Sequence, residues 1–274
     1  MLNGLKQRIS SIFEKRPVVS VLRLNGAIGG VGFGRGLSDA GLAPLVERAF
    51  APKRLVGVAL AINSPGGSPT QSALIAARIR RLAEEKEVPV FAFCEDVAAS
   101  GGYWLATAGD EIYADGNSIL GSIGVIYSGF GFHAFLDRQG VERRVHTAGE
   151  SKSLLDPFRP EKPEDVERIK RLQSVIHQNF IAQVKDRRGD KLADADLFTG
   201  EVWVGAEAER VGLIDGIGHL APVMKARFGD KVDFRVVSQK RGLLKRLGAP
   251  GAAELPGAIA GAVEERALWA RYGL

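Results

Sequence analysis

The stretch Leu55-Val-Gly-Val-Ala-Leu-Ala-Ile-Asn-Ser-Pro-Gly-Gly67 decides the fold. Its first eight residues are the longest apolar run in the chain, far below the roughly 18 that a membrane-spanning helix needs. A short continuous run of this kind, stopped by Asn-Ser-Pro-Gly-Gly, predicts a strand buried on both faces. Ser68 to Lys86 then has helical spacing, and Pro89 to Phe93 predicts the next strand. Before it, Val18 to Leu24 predicts a strand and Asp39 to Phe50 a helix. Strands alternating with helices predict an α/β domain with a mainly parallel sheet and crossover helices.

The pattern continues with a helix at Ser100 to Ala108 and strands at Glu111 to Ala114, Ser122 to Tyr127 and Glu142 to Thr147. Pro163 to Arg188 predicts a long helix, Val202 to Val211 another, and Leu213 to Gly218 a turn. Leu2, Leu5, Ile9, Ile12 and Phe13 share one face of a basic amphipathic helix over Met1 to Lys15, which would pack on protein or lie on a lipid surface. Residues 1–16 carry +3 and Lys240 to Arg246 carry +4, so the rest of the chain nets −2 of the formal +5. These ends suit an anionic membrane surface; without interleaved aromatics or zinc spacing they do not predict nucleic-acid binding. The expected organisation is one catalytic domain over 17–238, flanked by the basic segment 1–16 and a basic, Ala/Gly-rich tail over 239–274. Neither a membrane span nor a secretory signal is expected, since Met1 to Arg16 lacks an unbroken apolar stretch and a cleavage site.

Glycine makes up 34 of 274 residues, about 12% against an average near 7%. Several fall where an apolar strand stops: Asn63-Ser-Pro-Gly-Gly67, Ala99-Ser-Gly-Gly-Tyr-Trp104 and Leu120-Gly-Ser-Ile-Gly124. The glycine-rich loop Gly26 to Gly36 lacks the spacing of a dinucleotide fingerprint. Sites in open α/β sheets form outside the carboxyl ends of the strands, so the three strand-end loops should meet. Ser100 then either presents its Oγ beside backbone N–H donors, as a nucleophile needs, or merely caps its helix while the glycines make turns. A nucleophilic serine requires a base. None of His133, His146, His177 and His219 lies in a strand-end loop, so packing is the default for each. Lys152, in Ala148-Gly-Glu-Ser-Lys-Ser153, is the other candidate, and as a base it must be neutral, a state that burial favours.

These motifs, with Lys152 after them, resemble in order and spacing the signal peptide peptidase A family of serine–lysine peptidases, over about Val18 to Val237. The resemblance implies a crotonase-like or Clp-like ββα spiral in a single domain. It implies Ser100 as nucleophile, Lys152 as general base, Ser122 as the residue orienting that lysine, and backbone N–H groups of Gly67 and Gly101 as the oxyanion hole. It implies no metal or organic cofactor, and a homo-oligomeric ring in which serine and lysine come from one chain or from neighbouring chains. The substrates implied are hydrophobic or unstructured peptides, with cleaved signal peptides as one candidate. The setting expected is bacterial, in the cytoplasm or peripherally attached to the inner membrane, because many relatives carry an N-terminal transmembrane anchor where this chain offers only the basic amphipathic segment Met1 to Arg16. Two other functions share parts of this pattern. A crotonase-type acyl-CoA hydratase or isomerase has a similar oxyanion hole but needs acidic residues in the converging loops, and a non-catalytic membrane scaffold needs no serine–lysine pair.

Overall fold

In the computed structural model, residues 16–29, 36–149, 152–193, 196–237, 263 and 266–274 are described. The helix expected over Met1 to Lys15, most of the glycine-rich loop and most of the tail fall outside these residues. Seven α-helices and eight strands of the described residues are labelled in chain order. They begin with β1 (Val18–Asn25), α1 (Asp39–Ala49), β2 (Leu55–Ser64), α2 (Pro69–Lys86), β3 (Val90–Ala99), α3 (Gly101–Ala106), β4 (Glu111–Ala114) and β5 (Ile119–Gly121). There follow α4 (His133–Arg138), α5 (Pro163–Arg188), β6 (Val202–Val204), α6 (Gly205–Arg210), β7 (Gly216–Ile217), α7 (Leu220–Phe228) and β8 (Asp233–Val237).

The sheet runs β6-β5-β3-β2-β1-β8, with β4 also on β3 and β7 on β4. Every pairing is parallel except β5 with β6. The continuous apolar run of β2 is explained by burial on both faces. Val58, Leu60 and Ile62 enter the larger core with α1, α2 and α3, while Ala59 and Ala61 enter a second core with Phe91, Phe93 and Met224 of α7. Crossovers leading from β1 to β2 to β3 place their helices on one side. The chain returns across the sheet to reach β8, and a right-handed connection in that direction puts α7 on the other side.

Local chemistry sets the helix starts. Ser38 Oγ accepts from Gly41 N–H, and Ser68 Oγ from Gln71 N–H, with Pro69 at the first helical position. The long helix α5 matches its sequence expectation at both ends: Pro163 opens it, Glu164 and Asp165 sit in the first turn, Lys185, Arg187 and Arg188 in the last, and Gly189 follows.

Four expectations need correction. β3 continues past Phe93 to Ala99, because exposed Glu95 and Asp96 lie at an irregularity where Asn63 Nδ2 donates to Asp96 and Val97 N–H donates to Asn63 Oδ1. The strand expected at Ser122 to Tyr127 is instead β5, which ends at Gly121, since Ser122 at φ 51° turns the chain and Gly124 N–H closes back on its carbonyl. Glu142 to Thr147 pairs with no strand among the described residues. Val202 to Val204 is a strand rather than the start of a helix, because the antiparallel edge of β5 captures it and Gly205 then begins α6.

Candidate functional site

β3 delivers Ser100 to the carboxyl end of the sheet. Its backbone, at φ 52° and ψ −123°, lies where side-chain-bearing residues are rare. Ser100 N–H donates to Gly121 O at 2.8 Å and its carbonyl accepts from Trp104 N–H at 3.0 Å. The serine side chain does not cap α3, so the capping alternative is not what the fold shows.

The loop after β2 comes to meet it. Ile28 N–H donates to Gly66 O at 2.9 Å, and Ser68 N–H to Ile28 O at 2.8 Å. These bonds draw Gly67 so near Ile28 that a Cβ on Gly67 would stand 2.1 Å from that carbonyl oxygen, and the residue's φ is +141°. Gly101 is as tightly placed. Its Cβ would lie 2.4 Å from Ser72 Oγ and 3.4 Å from Gly67 N, which brings the backbone of the two glycines together beside Ser100. Neither the Gly67 nor the Gly101 N–H donates to an acceptor among the described residues.

The third loop follows β5. Ser122 is buried at 8% exposure, its N–H donates to Glu201 O at 2.7 Å, and its carbonyl accepts from Gly124 N–H at 2.9 Å. Tyr272 donates its hydroxyl to Ser122 Oγ at 3.4 Å, bringing the segment 266–274 against the site. Ser100, Gly67, Gly101 and Ser122 are therefore gathered by one end of the sheet.

Lys152 is not gathered with them. It is exposed, and its side chain makes no hydrogen bond or ion pair among the described residues. It sits beside the lining of a cavity of about 390 Å³, formed by Tyr127, Phe130, His133, Ser153, Leu155 and Lys162 among others. This outer region also carries exposed Ile126, Phe130, Phe135 and Val141, and α5 adds Leu172 and Val175.

Beside Asn63 of the quoted motif, three partners of the site, His177, Trp203 and Asp96, are not assigned to it by residue type. His177, assigned to packing by default, lies 3.0 Å through Nε2 from Ile123 O. The spacing of His177, Phe180, Val184 and Arg188 along the inward stripe of α5 is the sequence signal that would have found it. The side chain of Trp203 lies beside Gly121, and Asn63 with Asp96 supports the end of β3. Cys94, buried within β3, is pushed up to about 12 by burial first and by nearby Glu95 second, which keeps its thiol protonated. No group of three or more His, Cys, Asp or Glu side chains suited to a metal occurs among the described residues, and no described helix is long and apolar enough to cross a membrane.

Comparison with known proteins gives this arrangement a family. The model of Peptidase family S49 matches residues 82–229, a span holding Ser100, Gly101, Ser122 and Lys152. A Brucella melitensis protein named Na(+)/H(+) antiporter NhaA is 51% identical over 93% of this chain, which covers 37% of that protein. The chloroplastic serine protease SPPA of Arabidopsis thaliana is 32% identical over 80% of this chain and 33% of its own length. The chain thus spans about a third of these curated relatives. Among solved structures, a lysine-to-alanine mutant of a membrane-bound stomatin-specific protease in complex with a substrate peptide has a TM-score of 0.51 at 13% identity, covering 90% of this chain and 99% of that one. That likeness carries the α/β fold of such proteases. With more than half its length matched by the family model, across the Ser100 loop, the Ser122 loop and the Lys152 segment, the chain belongs to Peptidase family S49, the family of the signal peptide peptidase A enzymes.

Proposed function

We propose that the protein is a serine endopeptidase in which Ser100 attacks the scissile carbonyl and Lys152 is the general base. The observation that carries this reading is the backbone of Ser100, held at φ 52° with its side chain free of a capping role, beside the N–H groups of Gly67 and Gly101, which find no acceptor among the described residues. Ser100 Oγ adds to the peptide carbonyl as Lys152 Nζ takes its proton. The two N–H groups then face the developing oxyanion, each worth about 3 kcal/mol to the transition state. Lys152 returns the proton to the leaving amine, and water hydrolyses the acyl-enzyme by the same steps in reverse order. Ser122, on the loop whose Gly121 carbonyl holds Ser100 N–H, directs the lysine amine.

An exposed lysine is a poor base because water favours its charged form. Lys152 shares its outer region with the exposed apolar side chains of Ile126, Phe130 and Phe135. We therefore assign the dyad to two chains of a homo-oligomer, in which association buries these side chains and carries Lys152 to the Ser100 of a neighbouring chain. The peptides cut are hydrophobic or unstructured, with cleaved signal peptides as one candidate. Two of the similar proteins bear membrane-linked names, an antiporter and a membrane-bound protease, and this supports work at a membrane surface through peripheral attachment.

Ser100→Ala and Lys152→Ala should each abolish cleavage of a fluorogenic peptide while leaving the circular dichroism spectrum unchanged. Mixing the two inactive variants should restore part of the activity, because some interfaces then pair an intact serine with an intact lysine. Full activity in either single variant would overturn the dyad, and no recovery on mixing under conditions of subunit exchange would overturn its division between chains.

A further inference from the structure

Tyr272 donates to the Ser122 side chain at 3.4 Å, while four polar contacts among the described residues hold the backbone of the loop that carries Ser122, one of them from a side chain. Gly121 O accepts from Ser100 N–H, Ser122 N–H donates to Glu201 O, and Ser122 O accepts from Gly124 N–H. The fourth contact is His177 Nε2 to Ile123 O at 3.0 Å. A carbonyl oxygen only accepts, so Nε2 carries the proton and donates.

The last two contacts act on the same rigid unit. Ile123 C=O and Gly124 N–H belong to one planar peptide, whose N–H end is tied to Ser122 O and whose C=O end is tied to His177. A flip of that peptide breaks both bonds at once and releases the carbonyl of Ser122, which the loop holds at φ 51°. The residue after the peptide is glycine, whose backbone opposes such a flip weakly. Ile123 is fully buried and His177 half-buried, so the imidazole covers the Ile123 carbonyl from solvent.

The helix that presents His177 is itself anchored to the other side of the site. One turn on, Phe180 stacks on Trp104 with ring centroids 4.8 Å apart, and Trp104 N–H bonds the carbonyl of Ser100. α5 therefore spans from the helix that follows the nucleophile to the loop of Ser122.

We infer that His177 is a positioning residue of the peptidase site: by clamping the Ile123–Gly124 peptide it holds Ser122 in the orientation that aims the base, and α5 sets that loop against Ser100. The inference rests on the roles given above to Ser100 and Ser122. It requires a hydrogen-bond donor at position 177 and does not require a titrating group there.

The test is steady-state peptide hydrolysis with kcat and KM measured separately for His177→Met, which keeps unbranched bulk without a donor, and His177→Gln, which keeps an N–H. His177→Met should lower kcat about tenfold, the order expected for one lost hydrogen bond, with KM changed less than about twofold. His177→Gln should recover most of the loss. In a Ser122→Ala background the Met substitution should cost no further residual activity, because the residue it positions is gone. Amide exchange should quicken at Ser122 and Gly124 and stay unchanged along α5. Should His177→Met fold poorly, His177→Asn, which is polar but too short to reach the carbonyl, carries the same expectations. An unchanged kcat, a rise in KM alone, or an undiminished loss in the Ser122→Ala background would overturn the inference. Failure of the underlying reading shows separately, as retained activity in Ser100→Ala.

Discussion

Ser100 and Ser122 are two of the few residues other than glycine with positive φ, at 52° and 51°, and they stand on adjacent loops. Such backbone costs of order 1–3 kcal/mol and persists where the surroundings enforce it. With Ser100 as the proposed nucleophile, Ser100→Gly should abolish peptidase activity yet raise the thermal midpoint by a few degrees, since glycine relieves the strain; an unchanged or lowered midpoint in calorimetry counts against strain at Ser100. Gly67→Ala should act in the opposite sense. Its methyl would press on a backbone oxygen that cannot swing aside, and a loss of about 3 kcal/mol or more is expected in urea denaturation. The sequence already pointed to Ser100, Gly67, Gly101 and Ser122, because glycine and serine after apolar strands are local signals. It could not show the strain at Ser100 or the role of His177, since both depend on what packs against them from distant parts of the chain.

At the scale of elements, the end of α5 is fastened by a buried ion pair. Arg188, 3% exposed, donates to Asp215 at 2.6 Å and to Gly212 O, while Lys191 and Ile112 N–H complete the carboxylate's partners. Burial alone pushes the Asp215 carboxyl up, but hydrogen bonds from Arg188, Lys191 and Ile112 outweigh it and hold the group below its ordinary range. A lowered folded-state pKa gives stability that is present above the unfolded value near 3.9 and is lost as pH falls through the lower folded value. Denaturant midpoints should accordingly drop below about pH 4, and Asp215→Asn should remove part of that drop. Arg188→Ala, which leaves a buried carboxylate without its main partner, should cost about 3–5 kcal/mol at neutral pH. The helix itself was legible to the residue, from Pro163 to Arg188, because a proline start, acidic first turn, basic last turn and closing glycine all lie within it. β6 was not, because three residues of Val-Trp-Val become a strand only when the edge of β5 is there to bind them.

For the whole molecule, alternation of strands and helices gave the α/β class, and the flat apolarity of β2 gave burial on both faces. The order of strands was hidden. β3 pairs β4 along Phe91 to Cys94 and β5 along Val97 to Ala99, and no local pattern announces a strand that changes neighbour halfway. Nor does any local pattern say that Val18 to Leu22 will lie beside Asp233 to Val237. That last pairing has a consequence for the order in which the protein is made. β1 leaves the ribosome early, but the strand that covers its outer edge follows roughly 200 residues later, about 10–40 s at ordinary rates of synthesis. Throughout that interval the nascent chain shows an apolar, unpaired strand edge of the kind that recruits other chains. A chain stopped at Val232 should keep the Ser100 loops but aggregate through β1, seen as light scattering on refolding, and a peptide spanning residues 229–237 should suppress it.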